Sequence, residues 1–291
     1  TAGSVLPQFT SCCPAWVDYA EKYYPDLIEN LSSAKSPMQM QGPITKTYFA
    51  QKKGIDPSKI YTVAIMPCTA KKFEAVRDEH MSSSGYQDTD LVLTTRECAR
   101  MIKAAGIDFN NLPETEADDP LGEYSGGGTI FGATGGVMEA AIRTAYFAIT
   151  GENLKNVEVN AVRGIQEVKK GEIDIKGKNV RVAVIHGMAN AKDVLDEVRA
   201  CKKAGKPAPY DFIEIMACRG GCIAGGGQPY GADDEIRKER AAGLDKDDPV
   251  RCSHENPSIQ KLYKEFLGAP LSEKSEKYLH TSYKKVPIYK A

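Results

Sequence analysis

The chain has no run of about 18 consecutive apolar residues, the minimum for a helix that crosses a bilayer. It has no surplus of charge either. With 38 basic and 39 acidic side chains the formal net charge is −1, which argues against a nucleic-acid groove or an anionic membrane surface as partner. No basic segment followed by an apolar one opens the sequence, so no secretion signal is visible. A cytoplasmic location is expected, and a periplasmic one stays open. No Cys-x-x-Cys occurs and only four histidines are present, which removes the usual spacing of zinc ribbons and fingers. The first residue is Thr1 rather than Met, which leaves a cleaved segment, a second polypeptide or a missing piece as explanations.

What is present is an ordinary globular composition, 42% hydrophobic and 26% charged over 291 residues. That length allows one large domain or two modest ones. Four apolar runs read as buried strands: 61–66, 91–95, 181–187 and 211–216. Three helical patterns stand out: 96–106, 190–205, and 137–150 after the glycine-rich stretch 125–136. Alternating strands and helices predict parallel sheets covered by helices on both faces. The glycine-rich stretch lacks the Gly-Lys-Ser/Thr ending of a P-loop and predicts close backbone approach to something bulky. Residues 232–258, charged and spotted with proline, read as a mobile connection, and the Tyr- and Lys-rich tail after 267 as a surface wrap.

The eight cysteines are too sparse for a disulfide scaffold. Cys98, Cys201 and Cys252 stand alone and read as small buried hydrophobes. The other five form three islands, "FTSCCPAW" at 9–16, "IMPCTAKKFE" at 65–74 and "EIMACRGGCIAGGGQP" at 214–229. Cys68 and Cys218 follow predicted strands directly, where sites of parallel sheets collect. Cys218 and Cys222 lie four apart, so one loop can present both sulfurs. Four thiolates are the usual ligand set of a cubane iron–sulfur cluster. Neighbouring side chains diverge, so only one of Cys12 and Cys13 can be a ligand and the other is left as a free thiol.

These three islands resemble, in order and spacing, the signature motifs of the iron-only (FeFe) hydrogenases. The likeness extends through "NLSSAKSP", "GEYSGGGTIFGATGGVMEAA", "AVRGI" and "SHENP", covering nearly the whole chain. It implies an α/β fold of two lobes of mainly parallel sheet flanked by helices, with a metal cluster in the cleft between them and a C-terminal helical wrap. Residues 1–230 would then be the catalytic domain and 231–291 a wrap like a small subunit. The implied cofactor is the H-cluster, a 4Fe–4S cubane joined by one cysteine to a di-iron subcluster carrying CO, cyanide and azadithiolate. The implied activity is the reversible reduction of protons to H2, fed by ferredoxin or another low-potential carrier, after maturation factors have loaded the di-iron unit.

Carried over residue by residue, the resemblance makes Cys13, Cys68, Cys218 and Cys222 the cubane ligands, with Cys222 as the bridge. Cys12 becomes the free thiol that passes protons, which suits a group of reference pKa about 8.5. Lys71 would donate to a cyanide, and Met66 and Met216 would pack against the subcluster. Phe131 and Gly132 would shape its apolar pocket and Pro37 the loop opposite. Ser32 would be a relay hydroxyl, and Glu74 would orient its loop by ion pairing.

One departure is plain: only eleven residues precede Cys12, whereas the family has more chain there, bringing acidic residues of the proton path. A second chain supplying that segment is one expectation, a fragment or a reduced form another. No ferredoxin-type cysteine run is present, so electrons would enter the cubane from a docked carrier or a partner subunit. The competing readings are an iron–sulfur assembly factor and an H2-sensing protein. Cys12, Met66, Lys71 and Met216, which only a di-iron site needs, speak against the first.

Overall fold

The computed structural model describes residues 5–115, 118, 121–155, 160–247 and 250–288. It is an α/β fold with two separate sheets. The larger holds β1 (Gln8–Phe9), β4 (Val168–Ile175), β5 (Lys178–His186) and β6 (Phe212–Met216), in the order β1-β6-β5-β4. β6 runs parallel to both β1 and β5, with Gln8 and Val182 in register with Phe212. The smaller sheet pairs β2 (Val63–Met66) with β3 (Leu91–Thr94), parallel, with Met66 opposite Thr94.

β5 shows why the larger sheet sits in the middle of the molecule. Ala183 and Ile185 join one core with Trp16, Leu27, Leu195 and Ile213, while Val182 and Val184 join a second with Met138 and Ile142. Both faces are apolar, so both are covered. Helices Pro14–Tyr23 and Met188–Lys203 pack on one side and helix Gly136–Thr150 on the other. Trp16 is fully buried, packs edge-on to Phe9 at 5.8 Å, and donates its indole N–H to the Thr10 carbonyl at 2.9 Å. Trp16→Ala is expected to cost about 3–5 kcal/mol of stability, measured as a lower denaturant midpoint at constant slope.

Both sheets are mainly parallel, as expected, with one antiparallel edge: β4 runs antiparallel to β5, joined by Lys176 and Gly177, whose φ of 51° and 81° both lie in the left-handed region. Such a two-residue turn matches the twist of a hairpin. Residues 232–258 are not simply a connection, because helix Asp234–Lys246 occupies half of them. Asp233 caps it by accepting the Ile236 amide at 2.8 Å. After it, helices Pro257–Leu262 and Glu273–Leu279 bring Leu267 and Leu279 onto Ile44 and Tyr48. The tail then runs back along the first lobe, where Thr281 donates to the Ser33 carbonyl and Val286 to that of Glu21.

Candidate metal centre

The cysteine islands meet where the ends of β2 and β6 face the start of the first long helix. Cys13 is the N-cap of helix Pro14–Tyr23, fixed there by Pro14 at the first helical position. Its sulfur accepts the Ala217 amide at 3.5 Å, just beyond β6. Cys218 and Cys222 follow in a loop closed by the Gly221 amide on the Cys218 carbonyl, 3.0 Å. That loop then crosses the end of β2, where the Gly227 amide donates to the Pro67 carbonyl at 3.0 Å, beside Cys68.

Two glycines make this close approach possible. A Cβ on Gly225 would lie 2.1 Å from the Pro67 oxygen. Gly221 has φ +95°, and a Cβ there would meet the Thr134 nitrogen at 2.8 Å and the Gly132 oxygen and Met216 sulfur at 3.0 Å. The first contact joins the two cysteine loops, and the second seats the glycine-rich turn over Cys222. Gly225→Ala is therefore expected to cost about 1–3 kcal/mol by overpacking against backbone. It should also lower bound iron per reconstituted chain, which an iron assay reads directly.

The sulfurs lie close enough for their charges to act on one another. Burial raises the Cys13 thiol, and the charges of Cys218 and Cys68 add to the rise. Burial pushes Cys222 up to about 12, with Cys13, Cys68 and Cys218 also acting on it. Cys218 is raised by burial and by Cys68. Cys13, Cys68 and Cys218 thus all lie close enough to act on Cys222. Yet among the described residues no three cysteine sulfurs fall within 4.8 Å of one another; only Asp78, Glu79 and His80 form such a group. A tetrahedral zinc with bonds of about 2.3 Å holds its sulfurs about 3.8 Å apart. Four soft thiolates, spread wider than one ion needs, fit an iron–sulfur cluster.

Around them lie the other expected residues. Cys12 keeps part of its surface exposed, but its thiol is raised above the ordinary range by burial and by the nearby Cys13 and Glu214 charges. The Lys71 ammonium is buried, 2.7 Å from a Glu74 oxygen and 3.2 Å from the Cys12 carbonyl. Burial works against its charge, but Glu74, together with Cys12 and Cys222, outweighs this and raises its pKa. Met216 is buried beside Gly221, whereas Met66 packs on Met38, Ala75 and Val92. Phe131 and Gly132 lie half-buried in the turn Ile130–Gly132. Pro37 is exposed at the first position of helix Pro37–Ile44. The Ser32 hydroxyl accepts the Ala34 amide at 3.3 Å, and its carbonyl accepts the Tyr283 hydroxyl at 2.9 Å. Cys98 and Cys201 sit on helices rather than in these loops, Cys201 against the core.

Glu214 was not anticipated. It is fully buried on β6 and accepts the amides of Gly135 at 2.6 Å and Met138 at 2.7 Å. It thereby ties the glycine-rich turn to the strand that carries Cys218. The visible signal was a single carboxylate inside the apolar run "FIEIM". Lys169 lies opposite, its pKa lowered to about 8 by burial despite Glu214.

Comparison with known proteins identifies the family and the fold. Residues 1–226 match the family model of the iron-only hydrogenase large subunit, C-terminal domain, and 234–286 that of the iron hydrogenase small subunit. The chain is 48% identical over 282 residues to the NADP-reducing hydrogenase subunit HndD of Solidesulfovibrio fructosivorans, covering 96% of this chain and 47% of that protein. It is 46% identical over 288 residues to iron hydrogenase 1 of Clostridium pasteurianum, covering 96% and 49%. It therefore spans about half the length of these relatives. The fold is that of the FeFe-hydrogenase HydA1 of Chlamydomonas reinhardtii, with a TM-score of 0.83 and 40% identity over 98% of this chain and 78% of that one. More distantly, it is 32% identical over 300 residues to the cytosolic iron-sulfur assembly component 3 of Rattus norvegicus, covering 96% and 59%. By its motifs, its fold and the match over residues 1–226, the chain belongs to the family of the iron-only hydrogenase large subunit, C-terminal domain.

Proposed function

We propose that this chain carries the catalytic centre of a hydrogenase that reversibly reduces protons to H2, with residues 1–230 as the catalytic unit and 231–291 as its wrap. The observation that carries the reading is a fifth thiol, Cys12, beside four that gather from three loops. Cys13, Cys68, Cys218 and Cys222 would hold the cubane, with Cys222 shared with the di-iron unit. When bound, the H-cluster supplies electron relay and the metal centre at which protons and electrons combine. The chain's own residues do the rest. Cys12 holds and releases a proton at its sulfur. The Lys71 ammonium, kept charged by Glu74, offers an N–H to an anionic diatomic ligand. Met216, Phe131 and Gly132 exclude water from the pocket.

Electrons would come from ferredoxin or another low-potential carrier, and maturation factors would load the di-iron unit. Val63, Ile65 and Leu91 leave an apolar face of the smaller sheet exposed. Parallel sheets are ordinarily covered on both faces, which supports further polypeptide there, from this protein or a second chain. A cytoplasmic location goes with this proposal. The likeness to an assembly component favours a second reading, a cubane without the di-iron unit. Infrared spectra of protein made with the maturation factors separate the two. Bands of bound CO and cyanide, together with H2 evolution from a reduced dye, are expected; a cubane signal without those bands and without H2 supports the second reading.

A further inference from the structure

The face of the larger sheet that meets the glycine-rich turn carries two buried charges. Register aligns Lys169 of β4, Val184 of β5 and Glu214 of β6 in one row, and Met216 follows Glu214 on the same face. Both charges are spent on the backbone of the turn, with opposite polarity. One Glu214 oxygen accepts the Gly135 amide at 2.6 Å and the other accepts the Met138 amide at 2.7 Å, at the start of helix Gly136–Thr150. A carboxyl whose two oxygens both accept, at the positive end of a helix, is ionised. Burial raises its pKa, and those amides and Lys169 oppose the rise. The Lys169 ammonium donates to the Gly164 carbonyl at 2.7 Å and reaches the Thr134 carbonyl and hydroxyl at 3.4 Å. Thr134 in turn donates its amide to the Gly220 carbonyl at 3.1 Å, between Cys218 and Cys222. Buried charges are costly where packed apolar residues would serve, which points to a role beyond packing.

We propose that Lys169 and Glu214 are positioning residues of the metal centre, a buried pair of opposite charges that clamps the glycine-rich turn onto the cysteine loop and sets the reduction potential of the cluster bound there. The proposal rests on the reading of Cys13, Cys68, Cys218 and Cys222 as cubane ligands. Three observations put the pair within range. Glu214 precedes Met216 by two residues, about 6.6 Å along a strand. Met216 in turn lies where a Cβ on Gly221 would meet its sulfur at 3.0 Å, next to Cys222. The Glu214 charge also acts on Cys12, the neighbour of Cys13. In the protein interior such a charge is screened far less than in water. While both charges stand, their fields oppose each other; removing one leaves the other uncompensated. A lone anion opposes the electron that reduces the cluster, and a lone cation favours it.

Glu214→Gln and Lys169→Met each remove one charge with little change of shape. The cubane-loaded protein, without the di-iron unit and in mildly acidic buffer that keeps Lys169 charged, is titrated with reductant and followed by electron paramagnetic resonance. The potential is expected to rise in Glu214→Gln and to fall in Lys169→Met, each by roughly tenfold in the one-electron equilibrium, which is about 59 mV. Lys169→Arg, which keeps the charge, should stay near the parent. Loosened packing alone does not produce shifts whose direction follows the sign of the charge removed. Potentials equal to the parent in both neutral variants, or shifted the same way, would overturn the proposal. If Glu214→Gln holds no cubane, Lys169→Met decides alone; loss of the cubane from both would overturn the control of potential. The clamp has a readout that needs no metal: hydrogen exchange of the Gly135 and Met138 amides should quicken by roughly tenfold in Glu214→Gln, and an unchanged rate would overturn the clamp. Neither measurement requires H2 turnover, so both stand if the hydrogenase reading fails. A parent chain that binds no cubane would sink the ligand assignment and the control of potential with it, while the exchange rates still decide the clamp.

Discussion

Cys68→Ala is expected to abolish cubane assembly, taking bound iron per chain from the full four-iron complement to near zero. Cys68 is the one candidate ligand carried by the smaller sheet, at the end of β2; the other three belong to the larger sheet and the helix beside it. Removing it leaves three thiolates for a cluster that takes four. It also removes the metal bond that would close the gap between the two sheets, leaving hydrogen bonds such as Gly227–Pro67 and Lys71–Cys12 to span it. Metal binding to such a site is part of folding free energy, so the variant should also unfold more easily than the iron-loaded parent. Iron assay and electron paramagnetic resonance of the reduced protein check this. Cys98→Ala and Cys201→Ala, made in parallel, should keep the full signal, because those thiols lie on helices outside the cysteine loops. An intact cubane in Cys68→Ala would refute the ligand assignment.

Cys12→Ser should leave the cluster in place and lower H2 evolution by about 10²–10⁴-fold, the usual contribution of a positioned proton-transfer group. The substitution changes one atom, and Cys13, the neighbour that receives the Ala217 amide, keeps its position. A serine hydroxyl can accept a hydrogen bond from Lys71 or water, but it does not ionise in the range in which a thiol exchanges its proton. The CO and cyanide bands should therefore persist with little shift while turnover collapses. Turnover near the parent level would take Cys12 off the proton path.

Much of this was legible from residues 61–66, 91–95, 181–187 and 211–216: β5 and β6, covered on both faces, read as unbroken apolar runs, and β2 and β3 carry the same composition although one of their faces is exposed. β4 was hidden because its outer positions carry Lys170, Glu172 and Asp174, so its apolar share is too small to stand out. Helix Asp234–Lys246 was hidden for a related reason: it buries none of its residues, so no apolar stripe marks its period. The cysteines were visible as islands, but their convergence depends on long-range contacts such as Gly225 against Pro67, which no local pattern encodes.

The most direct test is diffraction at the iron edge from crystals of the cluster-loaded protein. The account predicts an iron cluster bounded by the sulfurs of Cys13, Cys68, Cys218 and Cys222, with the Cys12 sulfur close by and bound to no metal. Iron at any other place, or iron bonded to Cys12 in place of one of those four, would contradict it.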